Sequence, residues 1–185
     1  MPHLLIKDLP RYECLIEASK RFPELNPSAC EAFLHLLRAG DEAFVAMERN
    51  LTAHNISHGR FGVLMLLAQN CDDCGGTGAM TPAELADQTR VTRATMTGLV
   101  DTLERDGFVS RTVDANDRRM MRVCLTPKAH AFLEKLLPGH FQLMASLMAP
   151  LSQTERKTLV TLLNKVIQNA ATLNSSPAQS TAAGR

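Results

Sequence analysis

Thr81-Pro82-Ala83-Glu84, Val91-Thr92-Arg93-Ala94-Thr95-Met96-Thr97 and Asp114-Ala115-Asn116-Asp117-Arg118-Arg119 follow one another in the middle of a 185-residue chain. The first stretch is a helix start: a Thr cap, a Pro at the first helical position, and a Glu three residues past the cap that can return a hydrogen bond to it. It predicts a short helix ending near Gln88. After the turn Thr89-Arg90-Val91, Thr92 can cap a second helix. Met96, Leu99, Val100 and Leu103 then recur at the three-and-four spacing of one buried face, and Asp106-Gly107 ends the pattern. Phe108 to Val113 and Met120 to Leu125 are rich in strand-forming residues and alternate apolar with polar positions, which predicts a hairpin. Its tip holds the turn residues Asp114, Asn116 and Asp117, followed by two consecutive arginines that no core could absorb.

Charge placement on the second helix separates two readings of it. Arg90 and Arg93 crowd its N-terminus, where the macrodipole is already positive, and Asp101, Glu104 and Asp106 crowd the other end. That is unfavourable for a solvated helix with a polar face and favourable for one whose N-terminus meets an anion. A helix N-terminus also offers free amides. Arg90, Thr92, Arg93, Thr95 and Thr97 would then hold DNA backbone and reach base edges. Arg118 and Arg119 on a thin ribbon would enter the minor groove, with Asp117 orienting Arg119. Helix, turn, helix and arginine-tipped hairpin form the order of a winged helix-turn-helix, and the predicted fold class is mainly α with a small β-hairpin wing.

The chain resembles the multiple-antibiotic-resistance-regulator (MarR) family of transcriptional regulators. The resemblance runs through Leu85-Ala86, Val91 to Thr97, Leu103-Glu104-Arg105-Asp106-Gly107-Phe108-Val109, Asp117-Arg118-Arg119 and Leu125-Thr126-Pro127. It implies a homodimer that presents two recognition helices to successive major grooves of a pseudo-palindromic operator and wing arginines to the flanking minor grooves. By position, Arg119 would be the wing arginine and Asp117 its support. One departure is Gly98, where many members carry a bulky or basic residue. A glycine inside a helix costs roughly 0.5–1 kcal/mol relative to Ala. Close packing on a neighbouring helix is the expected reason, close approach of backbone to DNA the alternative.

Composition is compatible with this reading. With 45% hydrophobic residues the chain can bury one sizeable core. The formal net charge is only +1, so charge placement carries the argument. Between positions 90 and 122, Arg90, Arg93, Arg105, Arg111, Arg118, Arg119 and Arg122 face Asp101, Glu104, Asp106, Asp114 and Asp117. No apolar run approaches a membrane span and no signal-peptide pattern opens the sequence, so the expectation is a cytoplasmic protein without a membrane partner. The chain contains no nucleophile elbow, phosphate-binding loop or HExxH zinc motif; Gly75-Gly76-Thr77-Gly78 is too short and misplaced for a dinucleotide fingerprint. No enzymatic activity and no cofactor are expected.

The flanking segments read as partner-seeking helices. Cys30, Phe33, Leu37, Gly40, Phe44, Met47 and Leu51 recur at alternating three and four, a coiled-coil-like seam that wants a facing helix. Thr126-Pro127 opens a helix with Phe132, Leu133, Leu136 and Leu137, which Pro138-Gly139 is expected to kink or split. Ser152-Gln153-Thr154-Glu155 is a second capping box, opening a helix with Leu159, Leu162, Leu163, Val166, Ile167 and Ala170 on its apolar side. The expected organisation is a helical N-terminal extension over 1–28, a dimerisation helix over 29–55, the winged helix-turn-helix over 56–125, C-terminal dimerisation helices over 126–173 and a disordered tail over 174–185.

Cys71-Asp72-Asp73-Cys74 lies in the connector before the first reader helix. Passive thiols, a redox switch and half a metal site are all readings of that spacing, and no metal ligand set is complete. Cys14, Cys30 and Cys124 have apolar neighbours and are expected in the core. The function these patterns imply is a DNA-binding transcriptional repressor released by a small-molecule effector or by thiol oxidation. The alternative is a winged-helix module that binds protein, against which the adjacent Arg118 and Arg119 argue.

Overall fold

The computed structural model describes residues 8–70, 78–89, 91–113 and 120–175. Contacts divide the chain into two compact units, residues 1–141 and 142–185. The first opens with α1 (Tyr12–Arg21), α2 (Pro27–Ala53) and α3 (His58–Gln69). The short strand β1 (Ala79–Met80) precedes α4 (Pro82–Thr89) and α5 (Arg93–Arg105). A hairpin of β2 (Val109–Val113) and β3 (Met121–Leu125) leads into α6 (Pro127–Leu147). The second unit carries the end of α6 and α7 (Gln153–Ser175). This is the predicted mainly α architecture with a hairpin wing.

Local chemistry accounts for the helix ends. Thr81 and Glu84 form the reciprocal box, Thr81 N–H donating to Glu84 Oε2 at 2.7 Å and Glu84 N–H to Thr81 Oγ1 at 3.2 Å. Ser152 and Glu155 do the same at 2.7 and 3.3 Å. Asn26 caps α2, with Pro27 in its first turn. At the far end of α5, Gly107 adopts φ +75°, a conformation that favours glycine. Gly107 N–H reaches Glu104 O at 2.9 Å and Phe108 N–H reaches Leu103 O at 2.9 Å, which satisfies two carbonyls the helix would leave open. Asn55, at φ 57°, does the same for α2.

The core of the first unit joins α3, α4, α5, the sheet and the start of α6. Leu64, Leu67, Leu85, Met96, Leu103 and Leu136 are among its fully buried side chains. The predicted α5 stripe is buried at Met96, Val100 and Leu103, with Leu99 packed against its margin. The sheet is antiparallel in the order β1-β3-β2, with Val109 opposite Leu125 and Val113 opposite Met121. β1 was not expected: two residues carry no periodicity, and their strand character comes only from pairing Ala79 with Cys124 and Met80 with Val123.

Several expectations are corrected. Pro138 does not split the helix; α6 runs through it to Leu147. Glu134, whose carbonyl loses its donor, is exposed with Pro138, so water can take the lost hydrogen bond. Of the three cysteines expected in the core, Cys14 is exposed and Cys30 and Cys124 are only half-buried. Along β3 the side chains alternate, so the buried Val123 leaves Cys124 on the other face of the sheet, and the segments that carry Cys14 and Cys30 leave apolar side chains such as Phe22 and Phe33 exposed. α7 continues to Ser175, two residues into the stretch expected to be a tail. Cys71 and Cys74 fall outside the described residues.

Candidate nucleic-acid interface

The N-terminal turn of α5 is built by Thr92, whose backbone is extended and whose hydroxyl accepts from Thr95 N–H at 3.1 Å. One face of the helix is spent on the core. On the other, Thr92, Arg93, Thr95 and Thr97 are all exposed. Their hydroxyls are not equivalent. Thr97 Oγ1 donates to Arg93 O at 2.9 Å, so its proton is committed and it offers an outside partner lone pairs and a methyl group. Thr92 and Thr95 share one proton across 2.8 Å, which leaves the other hydroxyl proton available. The arrangement thus supplies donors at the helix tip and an acceptor with a methyl one turn in. Arg90, Asp117, Arg118 and Arg119 lie outside the described residues.

Gly98 is exposed, and a Cβ added there would meet no atom of the chain within 4 Å. Among the described residues no neighbouring helix packs on it, contrary to expectation. Gly98 lies one turn from Ala94 on an open face and leaves the middle of α5 without a side chain.

The acidic end of α5 has an internal explanation that sequence reading missed. Arg111 on β2 donates from Nη1 to Glu104 Oε2 at 2.8 Å and from Nη2 to Asp101 Oδ1. Arg60 at the start of α3 donates to Asp106 Oδ2 at 2.5 Å. Lys128 donates to the Asp106 carbonyl at 2.7 Å, and Lys128 and Arg60 lie 5.0 and 5.9 Å from the centre of the Phe108 ring. Each carboxylate that opposes the α5 dipole thus has a cation from another element. The sequence signal was there in Asp101 and Glu104, three apart on one helix face, and in Arg111 on a facing strand, but distance in the chain hid it.

A second polar cluster lies at the start of α3. Ser57 caps the helix through Arg60 N–H at 3.4 Å. His58 packs tilted against Phe44 of α2 with ring centres 5.0 Å apart, and His140 of α6 against Phe61 at 4.9 Å. His140 is 4% exposed, and Nδ1 of both imidazoles is buried without a hydrogen-bond partner. Burial pushes the His140 pKa down, and the charge of His58 adds to the shift.

Residues 56–121 match the model of the MarR family. The chain is 34% identical over 163 residues to the HTH-type transcriptional repressor YetL of Bacillus subtilis, covering 88% of this chain and 95% of that protein. It belongs to the MarR family. Among solved structures, a mutant of Escherichia coli MarR complexed with operator DNA aligns with a TM-score of 0.62 and 26% identity, over 71% of this chain and 89% of that one. Bordetella bronchiseptica BpsR, whose DNA binding is regulated by 6-hydroxynicotinic acid, aligns at 0.60 and 27%, over 71% and 90%. This MarR-family chain is accordingly a transcriptional regulator. Among its described residues no helix is long and apolar enough to cross a membrane.

Proposed function

We propose that the protein is a homodimeric repressor that binds a pseudo-palindromic operator through α5 and the wing. The observation that carries this reading is the exposed tip of α5, where Thr92, Arg93, Thr95 and Thr97 stand free of the core at a helix N-terminus suited to phosphate. With them we place Arg90 on the backbone, Arg118 and Arg119 in the minor groove, and Asp117 as support for Arg119. What supports a dimer is the seam on α2, where Phe33, Leu37 and Phe44 are exposed in the single chain, and α7, which buries none of its side chains. The repressor reading is supported by the similarity to YetL. For release, a small-molecule effector and oxidation of Cys71 and Cys74 are the two mechanisms; the regulated BpsR and the partnerless imidazole nitrogens of His58 and His140 support the first.

The test is operator binding by the chain to the DNA upstream of its own gene, across a salt series, with and without peroxide. Two docked readers predict half-sites about one helical turn apart and an affinity that falls steeply with salt. Arg119→Ala should cost on the order of 1–3 kcal/mol. Equal operator affinity of wild type and Arg119→Ala would remove the wing arginine from the interface, and absence of binding at low salt would refute the reading.

A further inference from the structure

We propose that Arg111 is a positioning residue for DNA recognition: it sets the angle of the wing to the recognition helix while masking Asp101, a carboxylate that α5 would otherwise turn towards DNA. The inference rests on the reading of α5 and the β2–β3 ribbon as the DNA-binding elements. Arg93, Thr97 and Asp101 stand at successive intervals of four, so Asp101 lies on the same line of the helix as the residues that would meet phosphate and base. An unpaired carboxylate there would repel the duplex. Arg111 engages it, and with its second nitrogen engages Glu104 at 2.8 Å. A guanidinium spans two carboxylates in this way and an ammonium does not.

The place of Arg111 in the sheet gives the pair its second role. Arg111 lies opposite Val123, and Val123 also pairs with Met80 of β1. That rung is the last with three strands. Beyond it Thr112 faces Arg122 and Val113 faces Met121, with Val113 57% and Met121 41% exposed. Over these two rungs the sheet is a two-stranded ribbon with exposed apolar side chains, a structure of marginal stability on its own. Arg122 donates to Ala79 O at 3.0 Å and ties β3 to β1, whereas Arg111 ties β2 to the recognition helix. It does so where the ribbon leaves the sheet, and a small change of angle there is magnified along the ribbon.

The experiment compares wild type, Arg111→Ala, Arg111→Lys and the triple variant Arg111→Ala, Asp101→Asn, Glu104→Gln, all as full chains. Operator affinity is measured by anisotropy, minor-groove protection by hydroxyl-radical footprinting, and folding by thermal circular dichroism. Arg111→Ala should lower affinity on the order of tenfold or more and lose protection at the flanks while central protection persists. The triple variant should recover part of the affinity, through lost repulsion, and none of the flanking protection. Arg111→Lys keeps a charge but not the two-pronged contact, so it should lose flanking protection even if Arg111→Ala fails to fold. Flanking protection retained in Arg111→Lys, or restored in the triple variant, would overturn the positioning role. A wild-type chain that protects no DNA would instead overturn the underlying reading of α5.

Discussion

Replacing Gly98 by alanine tests helix energetics and DNA proximity in one variant, and the two effects have opposite signs. Gly98 sits in the interior of α5, where glycine is less favourable than alanine by roughly 0.5–1 kcal/mol because it gives up more backbone freedom on folding. The added methyl meets nothing within 4 Å, so no steric penalty offsets that gain. For a chain of this length, 1 kcal/mol corresponds to about 2–4 °C, and the expected rise in Tm is roughly 1–4 °C. Scans must be run at one protein concentration, since the proposed dimer would make Tm depend on it. If the glycine is there to let the helix backbone approach DNA, the methyl that stabilises the free protein will obstruct the complex. An overpacked contact costs on the order of 1–3 kcal/mol, so the operator Kd should rise about fivefold or more. Calorimetry and anisotropy on the same preparations give both numbers. A lower Tm would refute the open-space reasoning. A raised Tm with unchanged Kd would refute the close approach and leave Gly98 without a role in binding.

Leu37→Glu places a charge in the exposed α2 seam and should yield aggregated or unfolded protein; a well-folded wild-type monomer in sedimentation at micromolar concentration would contradict the dimer. The lowered pKa of His140 makes stability depend on pH: its contribution is complete above the unfolded value near 6.5 and is lost as pH falls through the folded pKa, by at most about 1.4 kcal/mol per pH unit. Chemical denaturation from pH 8 to 5 should show that slope in wild type and a flatter one in His140→Gln, and parallel slopes would refute the assignment. Replacing Cys71 and Cys74 together by serine should abolish any peroxide sensitivity of operator binding while leaving reduced affinity unchanged; a peroxide effect that persists in the double variant would exclude the pair as the switch.

Legibility in the sequence followed the range of the interaction. Both capping boxes, the Thr92 cap and the buried α5 stripe are set within a few residues, and all four were readable. The terminal exposures were not. Cys14 and Cys30 have apolar neighbours in sequence, yet side chains such as Phe22 and Phe33 are themselves more than half exposed, and a pattern cannot say whether its own chain covers it. The split expected at Pro138 does not occur, because its cost depends on whether the orphaned carbonyl reaches water, a property of the folded surface. His140 carries no signal in the sequence at all; only the packing of α6 against α3 brings it to Phe61.

The charges of α5 show where the reading of the sequence stood on an incomplete premise. Cations at the N-terminus and acids at the C-terminus suggested a helix whose tip meets an anion, and the five charges were weighed without partners elsewhere in the chain. Three of them have such partners. Asp101, Glu104 and Asp106 are engaged by Arg111 and Arg60 across separations that no local pattern reveals. Those pairs are partly exposed and each is worth little to stability on its own. Their consequence is positional: the acids tie β2 and α3 to α5, and Arg93 is left exposed at its tip. The local arginine surplus understates the asymmetry along α5, because Arg111 and Arg60 are spent in cancelling the acids at the end of the helix farther from Arg93. A count of charges along the chain weighs all of these residues alike. The folded helix separates the ones that build the reader from the ones it presents.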